Sequence, residues 1–160
     1  MNRQPDWSSR QTSVASDIST FVNGATRYFE TTASQSAAVG APYVAESERA
    51  TVQEFTGLIR IAGERKGIVY FTAPRSMLSV MLLRMGETDL SDDNMRDLVG
   101  EVANTISGNA RREIGQHLKI SVPTVVTNLK GRIDYPVNAR PVVIPVHWRS
   151  YSAQLVVCLQ

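Results

Sequence analysis

A carboxylate and a carboxamide stand three residues apart at Glu101 and Asn104, inside the run DLVGEVANTISGNARREIGQH over residues 97–117. On a helix that spacing is close to one turn, so both side chains leave the same face. The carboxylate can pair with a cation. The carboxamide donates and accepts hydrogen bonds but is no base at neutral pH, so its chemistry is to hold and aim a water or another polar group. At about 100° per residue, Asp97, Gly108 and Arg111 fall with them inside an arc of roughly 80°. Gly108 has no side chain to keep a partner at a distance. Such a face can hold an ion pair and position a small polar molecule. The spacing alone equally describes the solvated side of an ordinary surface helix, since Glu-x-x-Asn is a short pattern.

The elements around this stretch must seat it. Met95, Leu98, Val99, Val102, Ile106 and Ala110 recur at three- and four-residue intervals and predict an apolar stripe opposite the polar face. Ser91 is a good N-cap for this helix, with Asp92 and Asp93 favourable in its first turn. Val14, Ile18, Phe21, Val22, Ala25 and Phe29 predict another long helix, to about residue 33, after a polar segment, 1–12, without periodicity that is expected to be disordered. Residues 34–50 form a connector with room for a short edge strand at Tyr43 and Val44. Residues 51–73 read as a hairpin turning at AGERKG, where Gly57 inside a strand marks a bulge or a close backbone approach. Pro74 opens a helix whose buried face is Met77, Leu78, Met81, Leu82 and Met85, with Gly86 at its end. At this spacing core filling explains the methionines better than an adaptable binding groove. Strands follow at about 119–129, 140–148 and 152–159. The order predicts an α+β fold, helices packed on a mainly antiparallel sheet, with residues 13–160 as one domain.

Composition excludes several classes. The chain has 160 residues and a formal net charge of +2. No basic block interleaves with aromatics, so nucleic acid is not an expected partner. The first residues carry no apolar signal core, and no run is long enough to span a bilayer, which predicts a cytoplasmic protein with no membrane partner. Cys158, in the strand-like QLVVCLQ, reads as a packed thiol. His117 and His147 lack a second ligand at metal spacing, so neither a metal site nor a Ser-His-Asp triad is expected.

The run DLVGEVANTISGNARREIG resembles the signature helix of the CheC/CheX family of chemotaxis phosphatases, whose pattern is an Asp or Ser, three residues, Glu, two residues, Asn. Asp97, Glu101 and Asn104 match it position by position, and Gly108, Asn109 and Ala110 resemble the Gly-Asn-Ala that follows in CheX. EFTGLIRIAGERKGIVYFT is similar to the family's glycine-containing hairpin, and ISVPTVV and PVVIPVHW to its later strands. CheC proteins typically carry two such helices; this chain has one and is more like CheX. A single departure is the shorter segment that leads to Pro123, which bears on the shape of the adjoining loop and hence on which partner docks.

The resemblance implies a phosphatase that hydrolyses the aspartyl phosphate of a CheY-like response-regulator receiver in chemotaxis or related two-component signalling. It implies that Asn104 aims the attacking water, that Glu101 pairs with a receiver lysine, and that Mg²⁺ comes with the receiver, this chain binding no cofactor. Asp97, Gly108 and Arg111 would meet the partner. For Asp97, solvation or charge complementarity at the helix N-terminus stays equally open, and for Arg111 an ordinary surface role. The resemblance further implies a homodimer. A non-catalytic CheX-like module that binds a receiver or a flagellar-switch-like partner is the alternative.

Overall fold

Alternation and periodicity of apolar residues produce the architecture seen in the computed structural model, which describes residues 7–32, 36–45, 52–127, 133, 135–136 and 139–160, with side chains from residue 15 onward. The elements are α1 (Trp7–Thr31), β1 (Ala38–Val39), β2 (Tyr43–Val44), β3 (Phe55–Gly63), β4 (Gly67–Ala73), α2 (Arg75–Arg84), α3 (Asp92–Ile114), β5 (Leu118–Ile120), β6 (Thr124–Thr127), β7 (Val142–Trp148) and β8 (Tyr151–Leu159). The strands form one sheet in the order β1-β7-β8-β4-β3-β5, with β2 also on β7 and β6 also on β3. Every pairing is antiparallel.

Strand side chains alternate between the two faces of the sheet. Ile59, Val69, Phe71, Ile144, Val146, Trp148, Leu155 and Val157 join the helices in the main core. Leu58, Ile68, Tyr70, Val143, Val156 and Cys158 form a second, smaller cluster, against which Ile133, Tyr135 and Ala139 pack. Buried there, the Cys158 thiol is pushed up to about 11 by desolvation, which suits a packed side chain and not a nucleophile.

The three helices lie against the main core. Of α1, Phe21, Ala25, Tyr28 and Phe29 are buried. Its first turns extend further than the apolar pattern. Residues 7–12, expected without structure, are helical, because propagation from a packed helix is easier than nucleation; residues 1–6 lie outside the described residues. In α2, Met77, Leu78, Met81 and Leu82 are buried as expected. Met85, expected with them, is the C-cap and is exposed. Gly86 follows at φ +84°, the left-handed conformation that ends helices.

The strand expected over 119–129 is two short strands, because the ladder breaks at Ser121: its N–H still donates to Arg60 O at 3.0 Å, but Arg60 N donates at 2.9 Å to Ser121 Oγ in place of a backbone carbonyl, and Pro123 has no N–H to donate. Residues 128–129 lie outside the described residues. No helix among the described residues is long and apolar enough to cross a membrane.

Candidate functional site

The helix α3 is fixed at both ends and along its length. Ser91 Oγ accepts from Asn94 N at 3.3 Å, capping its start. Arg75 of α2 pairs with Asp92 and lies 3.7 Å from Glu54 Oε2, with its guanidinium 5.1 Å from the centre of the Phe55 ring. At the other end, Arg111 Nε donates to Leu118 O at 2.9 Å, tying the last turns to β5. In between, Met95, Leu98, Val99, Val102, Ala103, Ile106 and Ala110 are buried.

Glycines set how closely α3 lies on its neighbours. A Cβ on Gly57 would stand 2.4 Å from Val99 O, so β3 and α3 touch backbone to backbone there. The register of β3 with β4 runs unbroken through Gly57; of the two sequence readings, close approach holds and a bulge does not. Gly100, overlooked in the sequence because it sits between the two faces, does the same on the β6 side, where a Cβ would be 3.0 Å from Val125 Cγ2 and 3.4 Å from Pro123 Cβ. Across the helix, a Cβ on Gly24 of α1 would meet Ile106 O at 3.1 Å. The polar face of α3 is thus a ridge between α1 on one side and the Pro123 segment on the other.

On that ridge Asp97, Glu101 and Asn104 are exposed, and Gly108 and Arg111 are half-buried. Among the described residues, neither Glu101 nor Asn104 has a hydrogen-bond or ion-pair partner within the chain. The carboxylate and the carboxamide are therefore free to engage something from outside. Beside Gly108 a Cβ would meet nothing within 4 Å, so the space next to Asn104 is open. The structure brings Asp97, Glu101, Asn104 and Gly108 to one surface; Arg111 shares it but uses its Nε internally.

Gly108 gives a first expected result. With open space and helical backbone, Gly108→Ala should raise stability by about 0.8–1 kcal/mol, the usual difference in helix propensity. A thermal melt shifted upward checks this; a lowered melt would show a contact that the ridge does not have.

A cavity of about 420 Å³ lies elsewhere, at the C-terminal end of α3, lined by polar side chains that include Asp17, Glu64, Arg65, Glu113 and His117. There Asp17 pairs with Arg65 at 3.0 Å. Burial raises the Asp17 carboxyl, and the nearby Arg65 partly offsets it. His117 lies 3.5 Å from Glu64, and His147 is hydrogen-bonded to Ser152 at 2.9 Å. Glu101 and Asn104 line no part of this cavity. Their setting is a protruding helix surface, which fits the concavity of another macromolecule better than it encloses a small ligand.

Three helices on an antiparallel sheet, with an exposed Glu-x-x-Asn ridge on α3, define a CheC-like protein. The profile of the family described as chemotaxis phosphatase CheX matches residues 55–147, and the chain belongs to that family. Solved structures agree on the fold. The chemotaxis protein CheX of Desulfovibrio desulfuricans superposes with a TM-score of 0.79 at 25% identity, over 91% of this chain and 99% of the other. That of Vibrio vulnificus gives 0.78 at 21% identity, over 91% and 99%. A CheX–CheY–BeF3–Mg complex from Borrelia burgdorferi gives 0.70 at 15% identity, over 89% and 97%. A comparison with curated protein sequences returns no significant match.

Proposed function

We propose that this chain accelerates hydrolysis of the aspartyl phosphate of a CheY-like receiver domain. The observation that carries the reading is the unpartnered pair Glu101 and Asn104, exposed one turn apart on a helix held from three sides. Membership of the CheX family supports a phosphatase role in chemotaxis, and the Borrelia complex of CheX with CheY supports a receiver partner.

Phosphoryl transfer depends on positioning and charge stabilisation more than on covalent help. In this reading the receiver brings the phosphoaspartate, a lysine and its own Mg²⁺, and the chain adds what is missing. Glu101 pairs with the receiver lysine and sets the register of α3 over the phosphoryl group. Asn104 Oδ1 accepts a hydrogen bond from a water while its amide N–H donates to a phosphoryl oxygen. The water attacks phosphorus in line, the bond from phosphorus to the aspartate oxygen breaks, and the water's proton leaves with the inorganic phosphate. Asp97 and Gly108 border the contact, and Arg111 keeps its terminal nitrogens for an acidic rim.

Such a substrate places the chain in the cytoplasm. A homodimer is part of the same proposal, since both sheet edges end in strands of two to four residues that a second copy could extend; sedimentation of the purified chain decides it.

Dephosphorylation of a panel of phosphorylated receivers from the same genome tests the activity. Accelerated decay of one receiver supports the phosphatase; tight binding without acceleration supports the binding module. Glu101 has its own expected result. Glu101→Ala should weaken binding to a receiver carrying an unhydrolysable phosphoryl mimic, and Glu101→Lys should weaken it further by setting like charges together, a combined loss on the order of 2 kcal/mol or more. Titrations with equal affinity for all three proteins would show that the ion pair does not form.

A further inference from the structure

Val122 is 82% exposed, more than any other large apolar side chain among the described residues. A single apolar residue on a surface is ordinary. This one is distinguished by where it stands and by how firmly it is held.

Its place follows from two contacts of α3. Gly100, Asn104, Ser107 and Arg111 succeed one another at three- and four-residue steps and so line one flank of the helix. At one end of that row, a Cβ on Gly100 would meet Pro123 Cβ at 3.4 Å. At the other, Arg111 Nε donates to Leu118 O at 2.9 Å. Gly100 to Arg111 as helix and Leu118 to Pro123 as extended chain each span about 16 Å, so the segment runs alongside the row. Val122, immediately before Pro123, therefore falls beside the turn from Gly100 to Asn104.

The backbone there is fixed. Ser121 N donates to Arg60 O at 3.0 Å, Arg60 N donates to Ser121 Oγ at 2.9 Å, and Ser121 Oγ donates to Val122 O at 2.9 Å. Pro123 confines the residue before it to extended conformations. The branched Cβ of valine restricts rotation of its own side chain. Val122 thus has little freedom left to lose on binding, which is what makes an exposed apolar group an effective contact.

We propose that Val122 is an apolar docking contact for the partner of the ridge, seated on an aliphatic or aromatic patch that borders the receiver's phosphorylation site. The inference rests on the phosphatase reading for the identity of that partner. It adds a requirement to it: the surface that offers a lysine to Glu101 must offer an apolar side chain to Val122, on the Asn104 side of the ridge.

Two variants test this. Val122→Ala removes two methyl groups, and Val122→Thr keeps the branched shape while exchanging one methyl for a hydroxyl. The side chain is exposed, so the melting temperature should hold in both. Affinity for a receiver carrying the phosphoryl mimic should fall roughly 5- to 15-fold in Val122→Ala and roughly threefold or more in Val122→Thr, the worth of about two and one buried methyl groups. Turnover at saturating receiver should change little. The loss should be the same at low and high salt, whereas the loss at Glu101 shrinks as ions screen its pair. A merely structural role would lower the melt and move turnover together with affinity. If Val122→Ala alone melts lower, Val122→Thr decides. A parent that accelerates receiver decay while both variants bind like it overturns the proposal and leaves the phosphatase reading standing. So does a loss that disappears at high salt, since an apolar contact is not screened. A parent that binds a receiver without accelerating its decay ends the phosphatase reading, and the same titrations still decide the contact. A parent that binds no receiver ends both.

Discussion

Asn104→Ala is expected to slow receiver dephosphorylation by about 10²-fold or more, with the melting curve unchanged. The side chain is exposed and makes no hydrogen bond within the described chain that alanine would forfeit, so the stability change should stay at or below about 1 kcal/mol. The rate is different. A group that places the nucleophile acts mainly in the transition state, and losing one typically costs on the order of 2.7–4 kcal/mol. Asn104→Asp should be as damaging, because a carboxylate has no donor for the phosphoryl oxygens and repels them. Single-turnover decay of a phosphorylated receiver at saturating protein separates this from docking, which Glu101 governs. If Asn104→Ala melts normally and still accelerates decay like the parent, the water is positioned by another group.

Gly57→Ala should be the methyl that most directly disturbs the seating of the site helix. Its Cβ would fall 2.4 Å from Val99 O and 2.9 Å from Val99 C. Both are backbone atoms of the site helix, and neither can swing aside. To make room, α3 must rise from β3 along the stretch that carries Glu101 and Asn104. Overpacking of this kind costs roughly 3 kcal/mol at the upper end of its usual range, or a fall of roughly 6–12 °C in Tm for a chain of this size. Activity should fall with it, since a displacement of about 1 Å is enough to spoil a positioned water. Gly108→Ala adds the same methyl to a helix face with open space and should stabilise. The pair makes a controlled comparison: two glycines, one substitution, opposite signs, decided by what stands opposite each Cα. A Gly57→Ala protein that melts like the parent would mean that β3 and α3 are not in backbone contact.

Much of this was readable from local rules. The stripe from Met95 to Ala110 and the opposed ridge of Asp97, Glu101 and Asn104 follow from helical periodicity, and the structure seats them as that periodicity requires. Ser91 caps α3 because a hydroxyl at that position satisfies an otherwise unpaired N–H. The hairpin of β3 and β4 follows from alternation around a glycine-bounded turn. Boundaries were less legible. Polar turns at the start of α1 carry no apolar signal, and the break at Ser121–Pro123 depends on where a neighbouring strand offers Arg60 N.

By itself, then, the amino-acid sequence determined which residues share a helix face, which strands alternate, and that one Glu-x-x-Asn pair was available for chemistry. Those are short-range consequences of backbone geometry and residue type. Tertiary structure alone decided the rest: that Gly57 and Gly100 let β3 and β6 close on α3, and that Arg111 is partly spent on β5. These are contacts between residues distant in sequence. No local pattern encodes them, because they depend on how α1, α3 and the sheet settle together once their apolar faces are buried.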